Sequence, residues 1–147
     1  MFSDIFGPST RARFTPDGGL AVLLKNGTGA TSSKGTLVTA SQDVDLAVVL
    51  QTNAFDTFGV MYESGVPDGA WCWVVVSGLA QVLYADGAGA TRGNVCISDA
   101  ADGRASDIDN FGLGLPAADT HFKEIGHVLE PKSSGTNVLA YINLHFN

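Results

Sequence analysis

The chain has 147 residues and a mass of 15.2 kDa, enough for one domain with a core of its own. Hydrophobic residues make up 45% and charged residues 16%, which excludes a disordered chain and a highly charged solvated helix. A net charge of −7, from 15 acids against 8 bases, disfavours a nucleic-acid partner, and no apolar run reaches the roughly 18 residues of a membrane span.

In chain order, residues 1–18 come first and differ from the rest. They hold Pro8, Pro16, Arg11 and Arg13, with Phe2, Ile5, Phe6 and Phe14 spread among small and polar residues. No period is sustained, and no basic run leads into an apolar one, so no secretory signal is expected. Two readings stand side by side: a frayed terminus, or an extended arm whose apolar residues dock on another surface.

From Leu20 onward, short apolar runs alternate with turn residues, the pattern of an all-β domain over residues 19–147. The composition agrees, with 18 Gly and few Lys or Glu. Strands are expected at 20–24, 36–39, 46–51, 59–63, 71–76, 79–84, 95–98, 121–129 and 137–146. Turns are expected at Asn26-Gly27, Asp68-Gly69, Asp86-Gly87, Asp102-Gly103 and Ser134-Gly135, where glycine supplies positive φ. In the last strand, Val138, Ala140, Ile142, Leu144 and Phe146 should face a core, and Leu139, Tyr141, Asn143 and His145 solvent or a partner. The run Trp71-Cys-Trp-Val-Val-Val is apolar on both faces, so it is either central or covered by another subunit. Residues 99–119 read as a long acidic loop with five aspartates and one base, Arg104.

A strand pattern recurs. Gly35-Thr-Leu-Val-Thr-Ala-Ser resembles Gly93-Asn-Val-Cys-Ile-Ser-Asp at an offset of 58, and Phe58-Gly-Val-Met-Tyr-Glu resembles Ile125-Gly-His-Val-Leu-Glu at an offset of 67. The expected fold is a compact β-sandwich or partly open β-barrel built from two similar β units, each too thin to bury its own face. Glu63 and Glu130 then stand at equivalent strand ends, as carboxylates accepting backbone N–H bonds.

Chemistry-bearing patterns are sparse. Cys72 and Cys96 have no C-x-x-C partner and read as reduced thiols in or near the core. No metal-ligand spacing links the three histidines; a hairpin about Ser134 would set His121 roughly across from His145 as exposed edge residues. The loop aspartates lack the order of a calcium-binding loop. No nucleophile elbow, phosphate loop or basic–aromatic stripe is present, so no enzyme, cofactor or metal is expected. Trp71 and Trp73 would stack on a sugar if exposed, and otherwise belong to the core.

Several runs together resemble a known group: Gly59 to Glu63, Asp68 to Leu83, Gly93 to Ser98, Gly103 to Ala105, and Ile125 to Asn147. Over about residues 35–147 the chain resembles the capsid cement or decoration proteins of tailed bacteriophages. The resemblance implies a non-enzymatic virion protein, made in the host cytoplasm and bound in many copies to the capsid exterior. It would bridge major capsid proteins and stabilise the expanded shell, with copies of itself as further partners, as a homotrimer. Phe2, Ile5, Phe6, Arg11, Arg13 and Phe14 would form the capsid-binding arm. Trp71, Trp73, Tyr141 and His145 would face a subunit or partner. A head-fibre or tail-spike base, or a carbohydrate-binding β module of the virion, is the alternative.

Overall fold

The computed structural model describes residues 11–52, 57–109 and 122–146. Within them the chain forms β1 (Ala12–Phe14), β2 (Gly19–Asn26), β3 (Leu37–Ala40), β4 (Ala47–Leu50), β5 (Gly59–Met61), β6 (Trp71–Leu83), β7 (Val95–Ser98), β8 (Ala105–Ile108), β9 (Glu124–Val128) and β10 (Leu139–Leu144). The sheet order is β1-β2-β4-β3-β5-β6-β10-β9-β7-β8, with a further β2–β6 pairing. The fold is all-β and partly ring-like.

The order is palindromic in sequence units. On one side of the β6–β10 seam run β5, β3 and β4; on the other run β9, β7 and β8. The registers match too. Leu37 pairs with Val60 and Val38 with Gly59, while Val95 pairs with His127 and Cys96 with Gly126, at the offsets of 58 and 67 that the sequence shows. The repeat also reaches further upstream than residue 35. Gly19-Leu-Ala opens β2 and Gly78-Leu-Ala opens the second half of β6. Lys25 meets Ala47 in parallel, and Tyr84 meets Ala105 in parallel. The first unit is therefore β2-β4-β3-β5-β6, closed by β2 on β6. The second is β6-β8-β7-β9-β10, closed by β10 on β6, with a single bridge from Tyr84, just past the end of β6, to Ala105 of β8.

Both units use β6, which is one 13-residue strand rather than the two expected around Gly78. Val74 and Val75 are both buried, so the strand is covered on both faces at that point. The main core joins the units: Leu37, Val60 and Val75 from the first pack with Val82, Ile125 and Ile142 from the second. A smaller cluster of Val38, Val48, Met61, Cys72 and Val74 lies within the first unit. In β10, Ala140, Ile142 and Leu144 are buried, as the alternation requires.

Four expectations are corrected. Residues 105–108 of the expected acidic loop form β8, whose polar Ser106 and Asp107 hide a strand flanked by Ala105 and Ile108. Residues 12–14 of the expected arm form β1, antiparallel to β2. Gly27 and Gly135 turn without positive φ, unlike Gly69, Gly87 and Gly103. The strand expected at 121–129 spans only Glu124–Val128; the rest of the acidic segment, 110–119, lies outside the described residues.

Candidate functional site

Two surface groupings collect most of the residues expected to act. The first is built by β1, β2 and β6 side by side. Arg13 pairs with Ala21, and Ala21 pairs with Val75, two positions along the same face from Trp73. The Arg13 guanidinium consequently lies 4.2 Å from the Trp73 ring centre. Arg11 lies 5.1 Å and Lys25 5.5 Å from the Trp71 ring centre, so the first tryptophan carries two cations. Trp73 also packs against the main core. The arginines expected in the capsid-binding arm and the tryptophans expected at an interface thus meet each other, at about 0.5–1 kcal/mol per exposed cation–π contact. Phe14 ends the same edge strand with 79% of its surface exposed.

Tyr141 is also engaged within the chain. Its phenol donates to Asp17 Oδ1 at 3.2 Å, and Lys34 Nζ stands 3.8 Å from Asp17 Oδ2. Burial, with the Asp17 carboxylate second, raises the Tyr141 phenol above its ordinary range. The contact pins the turn after β1 onto β10.

The second grouping is one the sequence did not reveal. His145 sits against His127, with His145 Nε2 2.8 Å from His127 Nδ1 and ring centres 5.0 Å apart. Glu124 Oε1 is 3.4 Å from His145 Nε2 and 4.0 Å from His127 Nδ1. Ordinary strand alternation would put Glu124 and His127 on opposite faces. A bulge prevents that: between the Cys96–Gly126 and Ile97–Glu124 pairs, β9 carries one extra residue, Ile125. The bulge re-aims Glu124 onto the face of His127. Glycine is required at 126, because a Cβ there would run into the Asn143 carbonyl oxygen. His145 in turn is fixed by its N–H donating to the Ile125 carbonyl at 3.0 Å. The expected opposition of His145 to His121 falls on His121, which lies outside the described residues. The legible signal was Gly126 within a strand, a mark of a bulge.

The remaining candidates hold structural positions. Glu63 accepts the Trp73 N–H at 3.3 Å, and Glu130 accepts the N–H of Tyr141, so the two equivalent glutamates do the equivalent thing. Lys132, 2.7 Å from Glu130, holds that carboxyl below its ordinary value. Cys72 and Cys96 are free thiols, both buried. Burial, then the Glu63 charge, pushes Cys72 up to about 11. Burial pushes Cys96 up to about 12, although Tyr84 donates a hydrogen bond to its sulfur at 3.5 Å. A thiol held that far above neutral pH is no nucleophile. A half-open cleft at the β3–β4 turn is lined by Asp43, Val44, Asp45, Leu46 and Phe58. Leu46 holds a φ of 56° there, a strained value for a side chain with a Cβ. Phe2, Ile5 and Phe6 lie outside the described residues.

No family model matches the sequence. No curated protein matches it either. Among solved structures, the chain is similar in fold to the N base of the head fibre protein gp8.5 of bacteriophage phi29. The TM-score is 0.57 at 16% identity, over 85% of this chain and 92% of that one. At that identity the likeness is one of fold.

Proposed function

We propose that this chain is a non-enzymatic structural protein of a bacteriophage virion, seated on the capsid exterior as the attachment base of a head appendage. The observation that carries the reading is the two-unit β fold, similar over 85% of its length to a head-fibre base. Buried, strongly raised thiols support a binding role over a catalytic one. The net charge of −7 suits an outer face, away from packaged DNA. Binding rests on the major capsid protein and on further copies of the chain, as a homotrimer. Synthesis is in the host cytoplasm.

A second reading, a cement that bridges neighbouring major capsid proteins and stabilises the expanded shell, is favoured by the motif run from Gly59 to Asn147. Such a protein stabilises by its differential affinity for the expanded lattice. Both readings are tested by deleting the gene and examining purified particles by electron microscopy and thermal release of DNA. Bald but heat-stable heads support the appendage base; heads that burst at lower temperature support the cement. Normal heads that never contained the protein overturn both.

A further inference from the structure

We propose that Glu124, His127 and His145 form a binding site for a divalent transition-metal ion of the zinc class. The three ligand atoms, His127 Nδ1, His145 Nε2 and Glu124 Oε1, lie within 4.8 Å of one another. Their separations are 2.8, 3.4 and 4.0 Å. A tetrahedral ion with bonds of about 2.0–2.2 Å spaces its ligand atoms by about 3.3–3.6 Å. The observed edges straddle that range, so side-chain shifts of tenths of an ångström place all three on one ion.

The donor chemistry agrees. Two imidazole nitrogens and one carboxylate oxygen form a borderline set that suits zinc and copper, and leave a hard ion such as calcium short of oxygens. The two facing nitrogens stand 2.8 Å apart, close enough for one ion to take both as ligands.

The backbone fixes the site beforehand. Glu124 and His127 share a face only because of the Ile125 bulge, and His145 is tied to Ile125 through its amide. The imidazoles are 40% and 41% exposed and the carboxylate 13%, so an ion can enter and a fourth position faces solvent. Three protein ligands and one open position are a recurrent zinc arrangement. The bound ion would clamp the start of β9 to the end of β10. None of this depends on the virion reading.

The test is calorimetric titration of zinc chloride into the full chain, made without a histidine tag and freed of metal by a chelator. One ion per chain is expected. The double variant His127→Gln/His145→Gln should lose affinity at least about tenfold, and Glu124→Gln should also weaken binding. Circular dichroism without zinc checks that each variant folds. Should the double variant not fold, nitrogen NMR of the parent's imidazoles replaces it: zinc should shift both His127 Nδ1 and His145 Nε2. Absence of saturable uptake, unchanged affinity in a folded double variant, or unshifted imidazole resonances overturns the proposal.

Discussion

Single side chains hold this small fold at points where the backbone has no ladder partner. Asn26 is fully buried at the end of β2 and uses every polar atom it has. Its amide donates to the carbonyls of Ala30 and Val66 at 2.8 and 3.0 Å, and its oxygen accepts from the N–H and hydroxyl of Thr28 at 3.1 and 2.8 Å. Asn26→Ala orphans several of these groups at once, and should cost about 3 kcal/mol in urea denaturation. A loss under about 1 kcal/mol would mean that water replaces the side chain. The thiols give a second prediction with a definite sign. Both are raised in the folded state, so the folded chain keeps protons that the unfolded chain releases. Their contribution is fully present below pH 9, the ordinary thiol value, and is lost as pH rises toward about 11 for Cys72 and about 12 for Cys96. Unfolding free energies measured from pH 8 to 10.5 should fall more steeply for the parent than for Cys72→Ala/Cys96→Ala. Parallel slopes would remove the thiols from the account.

At the scale of the element, β6 and β9 show what alternation alone cannot deliver. The strand core of β7 was legible to the residue, because Val95–Ser98 is apolar and bounded by turns. Strand β8 was not, since Ser106 and Asp107 place a polar side chain on each of its faces and the composition reads as loop. The metal-ligand face was hidden for a different reason: a one-residue bulge changes which side chains share a side, and only pairing partners reveal it. In β6, Gly78 marks the place where the strand leaves one unit for the other. Its φ is +79°, and a Cβ there would stand 2.8 Å from the Gly18 carbonyl oxygen. Gly87 has a similar φ of +84° with no atom within 4 Å. Gly78→Ala should therefore destabilise by roughly 2 kcal/mol or more, and Gly87→Ala by about 1. Equal losses in thermal denaturation would show that the Gly18 approach relaxes freely.

For the molecule as a whole, the doubled architecture was partly written in the chain. The offsets of 58 and 67 located two strand pairs, β3 with β7 and β5 with β9, while the Gly19-Leu-Ala and Gly78-Leu-Ala match was hidden because β2 and half of β6 differ in their continuations. The interface residues were legible as types but not as partners, since nothing in the spacing says that Arg11 and Arg13 cover Trp71 and Trp73. Because one core draws on both units, urea unfolding should be a single transition. Tryptophan fluorescence reports the first unit, which holds Trp71 and Trp73, and far-ultraviolet dichroism reports both. Their midpoints should coincide; separated midpoints would make the units independent. The unbroken backbone of β6 has a mechanical corollary. A tensile pull directed from one ring to the other runs along covalent bonds, and not only across the hydrogen-bonded zipper with β10. A chain anchored by one half and tugged by the other would then stretch as one piece before it came apart.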